Sequence, residues 1–293
     1  MQIVIDRIES AARKLSVDND ELCRSGAFED LVAQLGLKIS MNQAKHEAEN
    51  PTELDVLRQF RFIQHDVWSI ETLCERLEWQ RGLWNSGEID GSKWSRFATA
   101  DIILFHMEYR SIFDYVARIL ALLSNKPGQV SAAKPRNRND VISFERMSRK
   151  ANQPMFAAKF GADIAELFQK CDWFRQLRDI RNLISHYGGD TFVYEDKPEI
   201  LFQVHDSREC YDRKVTLPGV MYNENVARFD LYAGVFYGYL LWYLDEAAPV
   251  IAGQLHLDVI HDRSKSCHPG ICVMQSWMSK ALDAVSHATN PDE

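Results

Sequence analysis

The sequence lacks the features that place a protein in or across a membrane. Its longest apolar runs, such as LYAGVFYGYLLWYL at 231–244, fall short of the ~20 residues needed to span a bilayer. The N-terminal sequence MQIVIDRIESAARK has no apolar stretch followed by a small-residue cleavage site, so no signal peptide is predicted. These absences predict a cytoplasmic protein without a membrane partner.

The motifs of several common enzyme classes are also missing. The chain has no Gly-rich phosphate loop, no dinucleotide-binding fingerprint and no nucleophile elbow. It contains no internal repeat and no low-complexity tract. The sequence therefore argues against common ATPases, dehydrogenases and α/β-hydrolases.

The histidines and cysteines do not form a recognisable metal motif. Cys267 and Cys272 flank His268, but their C-x4-C spacing has no second ligand pair nearby. His256 and His261 lie near aspartates without the order of an HExxH motif. In a cytosolic chain the six cysteines are best interpreted as free thiols. We therefore predict no metal and no other cofactor.

The charge of the chain is unevenly distributed. The net charge is −8, which argues against a general nucleic-acid coat protein. However, residues 126–150 carry seven Lys or Arg against two Asp or Glu. This basic segment is either a solvated linker or a patch that follows an RNA backbone.

The apolar periodicity predicts a helical protein. Apolar residues at three- and four-residue spacing indicate long helices over about 50–81, 94–124, 163–188 and 223–255, and a short helix over 271–287. Two β-type runs around EDKPE, within 191–206, predict a hairpin. The predicted fold is all-α: an antiparallel bundle of four to five long helices with a small β-hairpin insertion before the last long helix. We divide it into an N-terminal helical extension (1–50), the bundle (51–262) and a C-terminal tail with a short helix (263–293).

The stretch RDIRNLISHYGG, residues 178–189, stands out within the third predicted helix. At about 100° per residue, one polar ridge forms opposite an apolar side. The ridge contains Arg175, Arg178, Arg181, Asn182, Ser185 and His186, and the apolar side contains Leu177, Ile180, Leu183 and Ile184. Arginine is suited to phosphate oxygens, and a histidine in the last turn of a helix is favoured in its protonated form. Such a ridge can grip phosphate and move a proton, or it can simply cap the end of a helix, with Asp179 paired to Arg175.

Within this stretch, RNLISH (181–186) resembles the R-x4-6-H signature of the HEPN superfamily of helical-bundle domains. The context agrees, because a long helix containing FHMEYRSIFDYVARIL (105–120) precedes the motif and a further long helix follows it. The resemblance covers roughly residues 51–260. The chain departs from a minimal HEPN domain in its greater length, its first fifty residues and its β insertion.

The resemblance implies a metal-independent endoribonuclease. Arg181 and His186 would be the catalytic pair and Asn182 the supporting polar residue, in a composite site formed by two copies of the motif across a homodimer. The 2′-hydroxyl of the RNA would attack the adjacent phosphate and leave a 2′,3′-cyclic phosphate. Many relatives act in antiviral defence or toxin–antitoxin systems, which leaves open an antitoxin or regulatory protein as a partner. From the ridge itself we infer that Arg178 and Arg175 extend the substrate-binding surface.

Two other functions fit the same sequence. One is a non-catalytic HEPN-like module that binds a nucleotide, RNA or a protein partner, and the other is an all-α scaffold in which the ridge only caps a helix. The enzyme requires Arg181 and His186 to be accessible and close to those of a second copy, whereas the binding module tolerates a buried His186.

Charged and aromatic residues outside the motif have alternative interpretations. Glu108 and Asp114 on the second long helix either pair with arginines of the third or orient Arg181 or His186. His205 and Asp206 are predicted to form a surface pair. An aromatic stripe on the last long helix is interpreted as core or dimer interface in preference to a base-stacking platform; it comprises Phe229, Tyr232, Phe236, Tyr239 and Tyr243.

Overall fold

The computed structural model describes residues 2–12, 15–18, 21–45, 50–124, 143–171, 173–174, 177–180, 193–194, 199–204, 219–257, 265–267 and 271–289. Most of these residues are helical, so the prediction of a mostly helical chain is confirmed. In the described part of the chain, no helix is both long enough and apolar enough to cross a bilayer.

Helices and short strands follow one another along the chain. The helices are α1 (Gln2–Ala12), α2 (Ala27–Ala44), α3 (Pro51–Asn85), α4 (Gly91–Ser124), α5 (Phe144–Lys150), α6 (Pro154–Phe160), α7 (Ala162–Gln169), α8 (Phe229–Leu255) and α9 (Ile271–Thr289). The strands are β1 (Leu15–Asp18), β2 (Glu21–Ser25), β3 (Leu201–Gln203), β4 (Val226–Arg228) and β5 (Lys265–Cys267).

Two long helices, α3 and α4, form a hairpin whose ends are set by local signals. The Asn50 side chain accepts the Thr52 N–H and Pro51 occupies the first turn, as the sequence predicted. Asp90 Oδ1 accepts the Lys93 N–H at the start of α4. Because the connection between them is short, the two helices pack against each other along their lengths.

Helix α8 is buried on almost every side. All five members of the aromatic stripe lie in the core, so neither the dimer-interface nor the base-stacking interpretation of the stripe holds. At Gly234 a Cβ atom would lie 2.4 Å from the Trp277 carbonyl oxygen, so glycine is required for α9 to approach α8 this closely. The helix continues past Pro249 and ends at His256, which adopts a left-handed conformation (φ 54°).

The strands differ from the prediction. β3 pairs antiparallel with β4, which lies immediately before α8, so the last long helix begins at Phe229 and not near 223. In the described part of the predicted hairpin partner, Val193 bridges Phe202 and the Tyr194 N–H donates to the Leu201 carbonyl, so the predicted pairing with β3 is present there. A second sheet, with strand order β1-β2-β5, was not predicted at all.

The third long helix is not continuous. α7 begins at Ala162, close to the predicted start at Asp163, but it ends at Gln169. Lys170 is in a turn and Cys171 is not helical, and helix resumes within 174–180. Cys171 and Trp173 are both buried, although one straight helix would place them about 160° apart, which is consistent with the interruption.

One hydrophobic core joins most of these elements. It includes Ile8 of α1, Leu31 of α2 and Trp277 of α9 together with residues of α3, α4 and α8. The core therefore extends across the predicted boundaries at residues 50 and 262, and the terminal segments contribute side chains to it.

Candidate functional site

Most of the motif lies outside the described residues. Arg175 and the segment 181–192, with Arg181, Asn182 and His186, are not among them. Directly before this segment, Leu177 and Ile180 are buried, as the predicted ridge requires, while Arg178 and Asp179 are partly exposed. The helical phase entering the motif is therefore the one that the sequence predicted.

Arg178 is held by two carboxylates. Its Nη2 and Nε atoms lie 2.6 and 2.9 Å from Asp179 Oδ1, and its Nη1 atom lies 3.2 Å from Glu145 Oε1. Only 15% of the Arg178 side chain is exposed. A phosphate could bind this guanidinium only by replacing charge-assisted contacts that already exist.

The carboxylate of Glu145 is positioned by the start of helix α5. The Ser143 hydroxyl accepts the Arg146 N–H at 3.3 Å, and Asp114 Oδ1 accepts the Phe144 N–H at 2.9 Å. Asp114, which sequence reasoning considered as a partner of motif residues, therefore fixes the first turn of α5 from helix α4. It also lies 3.8 Å from Arg110 on its own helix.

Both sides of the motif segment contact α4. On the N-terminal side, the rings of Phe174 and Phe113 are 5.2 Å apart. On the C-terminal side, the Ser95 hydroxyl donates to the Val193 carbonyl at 2.6 Å, and the Val193 N–H donates to Thr99 Oγ1 at 3.3 Å. Helix α4 thus holds the chain before and after residues 181–192.

Glu108, the other acidic candidate on α4, faces α3. Burial, and then the nearby charge of Glu108, raise the pKa of Asp66 from 3.8 to about 6. His65 Nδ1 lies 3.4 Å from Asp66 Oδ1 and acts in the opposite direction. Asp66 and Glu108 thus form a carboxyl pair between two helices, and the raised pKa favours the protonated form of Asp66 below about pH 6. The spacing of residues along one helix could not reveal this pair.

A buried histidine on α4 is neutral. His106 Nδ1 lies 2.7 Å from the Ile102 carbonyl oxygen, and its Nε2 atom lies 2.9 Å from the Tyr232 hydroxyl. These partners assign the proton to Nδ1, so that Tyr232 donates to Nε2. Burial lowers the pKa of His106 to about 4. The residue is a satisfied member of the core and is not positioned to transfer protons to a substrate.

An arginine of the N-terminal segment lies among aromatic rings. The Arg7 guanidinium carbon is 4.7 Å from the Trp173 ring, 4.6 Å from the Trp242 ring and 5.4 Å from the Tyr239 ring. Arg7 Nη2 also donates to the Lys170 carbonyl at 3.2 Å. Helix α1 is thereby attached to the chain just before the motif helix, a contact that no local sequence signal indicated.

The remaining candidates supply no site within the part of the chain that can be described. His205, Asp206, His261 and His268 lie outside it, as do residues 126–142 of the basic segment. Cys272 is an exposed free thiol. Among the described residues, no group of three His, Cys, Asp or Glu side chains is arranged to hold a metal ion.

Helix α4 thus contacts the chain directly before and directly after the motif segment. The described edges of this segment supply one shielded arginine, Arg178, and the carboxylates that hold it. In comparisons with known proteins, no protein-family model, curated protein or solved structure matches this chain.

Proposed function

We propose that this protein is a metal-independent endoribonuclease of the HEPN type, in which Arg181, Asn182 and His186 form the catalytic set. The proposal includes the antiparallel bundle arrangement of the long helices, a homodimer that completes the site, and a cytoplasmic role in defence or a toxin–antitoxin system.

The observation that carries the proposal is the orientation of the chain entering the motif. Leu177 and Ile180 are buried, whereas Arg178 is partly exposed. In the sequence, Asn182 and His186 follow Arg178 at four-residue spacing, which predicts that they share its side of the helix, with Arg181 in the adjacent row.

These residue types are sufficient for cleavage by transesterification. The 2′-oxygen forms a bond to phosphorus while the bond from phosphorus to the 5′-oxygen breaks. One proton leaves the 2′-hydroxyl and one is delivered to the 5′-oxygen, and His186 would carry out one of these transfers. Arg181 would stabilise the charge that develops on the phosphate oxygens. The products are a 2′,3′-cyclic phosphate and a 5′-hydroxyl.

The test is RNA cleavage by the purified full chain in the presence of EDTA, with both product ends mapped. The wild-type protein should leave cyclic phosphates, and His186→Ala and Arg181→Ala should each lower the rate by at least about 100-fold. His287→Ala is a matched control, because this histidine is exposed on α9 and does not belong to the motif.

Loss of cleavage in both motif variants, with an unchanged control and intact folding by circular dichroism, would support the enzyme. Cleavage that persists in both motif variants, or that EDTA abolishes, would refute it.

One observation favours the second candidate, a non-catalytic HEPN-like module that binds a nucleotide, RNA or a protein partner. Arg178 already makes two carboxylate contacts, with Glu145 and Asp179, which reduces the cationic surface offered to a phosphate backbone. Fluorescence anisotropy with labelled RNA separates the two functions. Binding that depends on Arg181 without any cleavage would favour the module.

A further inference from the structure

Helices α3 and α4 carry more than half of the exposed large apolar side chains among the described residues. Among the described residues, eleven large apolar side chains are exposed, and six of them belong to these two helices. They are Phe62, Trp68, Trp79, Phe97, Leu104 and Met107. Apolar patches of this kind on a folded chain usually mark an interaction surface.

Two tryptophans dominate the exposed side of α3. Trp68 is 40% exposed and Trp79 is 63% exposed. They are separated by about three helical turns and therefore lie on one face of the helix. Arg61 and Glu75, also exposed, flank Trp68 on the same face, two turns before and two turns after it. Tryptophan and arginine are the residue types most enriched at the centres of protein interfaces.

Charged residues on α3 are arranged about Trp68 so that they can face opposite charges in an antiparallel copy of the helix. Trp68 is the middle residue of the helix, which runs from Pro51 to Asn85. Arg61 and Glu75 are equidistant from Trp68 with opposite charges. The same is true of two further pairs, Arg58 with Glu78 and Asp55 with Arg81. Of these pairs, Arg61 and Glu75 lie on the face of Trp68, where an antiparallel copy of the helix would place opposite charges together, whereas the two further pairs point about 80° or more away from it.

We propose that a second copy of this chain docks on the outer face of α3, with a two-fold axis passing at Trp68. The two α3 helices pack antiparallel and Trp68 meets its counterpart on the axis. Arg61 of each copy faces Glu75 of the other. A parallel arrangement is disfavoured because it would place Arg61 against Arg61.

The length of α3 permits an extended helix pair. A helix of 35 residues is about 52 Å long, and all of it overlaps when the axis passes through its middle residue. A stable interface needs roughly 800 Å² from each partner. The exposed apolar residues of α4, beside α3, enlarge the face where the helices diverge at a crossing angle of about 20°.

The Arg61–Glu75 pair is the best place to test the proposal. Arg58 contacts Asp55 at 2.7 Å and Arg81 contacts Glu78, so these outer charges already have partners within their own helix. Within the described residues, neither Arg61 nor Glu75 forms an ion pair. Both side chains are exposed and therefore accessible to a second copy.

The proposal goes beyond the ribonuclease proposal and does not depend on it. Its readout is molecular mass, whereas the readout of the enzyme is RNA cleavage. If the protein forms a dimer through α3 but cleaves no RNA, the interface proposal stands. If the protein cleaves RNA but the α3 variants do not change its mass, only the interface proposal fails.

The experiment is sedimentation velocity on the full-length protein across a concentration series. The wild type should be a dimer, and Arg61→Glu or Glu75→Arg should each raise the dissociation constant by about tenfold or more, because both symmetric pairs become repulsive. An equimolar mixture of the two variants should dimerise again, since both contacts between position 61 of one chain and position 75 of the other then join opposite charges. The variant that carries both substitutions should also recover dimerisation by itself.

Trp68→Ser provides a second, independent test. It should weaken the dimer by about 100-fold, because the tryptophan is lost twice at the centre of the interface. Met155→Ser is the matched control, because Met155 is 84% exposed on α6, outside this face, and its loss should leave the mass unchanged. Circular dichroism checks that every variant is folded. A monomeric wild type, or a dimer unaffected by the α3 variants, would overturn the proposal.

Discussion

The Arg7 guanidinium stacks on the ring of Trp173, with 4.7 Å between the guanidinium carbon and the ring centre. The contact joins the N-terminal helix α1 to the residues that lead into the motif helix. Trp242 of α8 lies on the same guanidinium at 4.6 Å. The position of the motif helix therefore depends on contacts with α1 and α8, which the sequence of the motif helix does not specify.

Replacing Arg7 by lysine should lower the free energy of unfolding by about 1–2 kcal/mol, although the charge is retained. A lysine ammonium lacks the planar guanidinium that lies 4.7 and 4.6 Å from the centres of the Trp173 and Trp242 rings, and it cannot reach the Lys170 carbonyl with the same geometry. Urea unfolding measures the change. Arg58→Lys, at an exposed position of α3, is the control and should change stability by less than about 0.5 kcal/mol. An equal effect of both variants would contradict the role given to the stacking.

Arg178→Ala should destabilise the protein by about 1–3 kcal/mol, because Glu145 and Asp179 then lose a hydrogen-bonded cation in a partly buried site. Glu145→Gln combined with Arg178→Ala in a double-mutant cycle should reveal a coupling of at least about 0.5 kcal/mol. If instead stability is unchanged while RNA affinity falls and its salt dependence weakens, Arg178 contacts phosphate, as the polar ridge predicted.

Asp66→Asn should stabilise the protein at pH 8 and have a much smaller effect at pH 4.5. The pKa of Asp66 is about 6 in the folded protein against an ordinary value of 3.8, so ionised Asp66 opposes folding. The contribution of the protonated carboxyl is complete below about pH 3.8 and is lost as the pH rises through 6. The gain at pH 8 should be on the order of 1–3 kcal/mol.

The measurement for Asp66→Asn is urea unfolding of the wild type and the variant at both pH values. Asp283→Asn serves as the control, since this aspartate is exposed on α9 and should give no pH-dependent difference. A gain that is the same at pH 4.5 and pH 8 would show that Asp66 does not titrate in this range.

Tyr232→Phe should destabilise the protein by about 1–3 kcal/mol, because the buried His106 Nε2 atom loses its hydrogen-bond donor. The pKa of His106 is about 4, so the ring cannot compensate by binding a second proton at neutral pH. Thermal unfolding detects the loss. Tyr222→Phe, at a half-exposed position, should be nearly neutral by comparison, and similar losses in both variants would argue against this account of the hydrogen bond.

The sequence located most helices because their signals are local. The Asn50 cap, the proline that follows it and the apolar stripe of α3 lie within a few residues of the turns that they stabilise. The same locality explains the mistake in the third helix. The periodicity of 163–188 fits one helix, but Cys171 and Trp173, which one straight helix would place on nearly opposite sides, are both buried.

Contacts between distant parts of the chain were decided by the tertiary structure. β2 pairs with β5, although most of the chain separates them, and β3 pairs with β4, which lies more than twenty residues further along the chain. A sequence pattern can indicate that a strand has a buried face, but it does not identify which strand completes its hydrogen bonds.

The candidate site also combines features that the sequence determined with features that only the tertiary structure decided. The sequence alone determined the R-x4-H motif, the polar ridge and the opposite apolar side, because helical spacing fixes which residues share a face. Only the tertiary structure decided that Arg178 binds Glu145, that Asp114 holds the start of α5, and that Asp66 meets Glu108. Each of these polar groups needs a partner once it is buried, and the folded chain alone determines which one lies within reach.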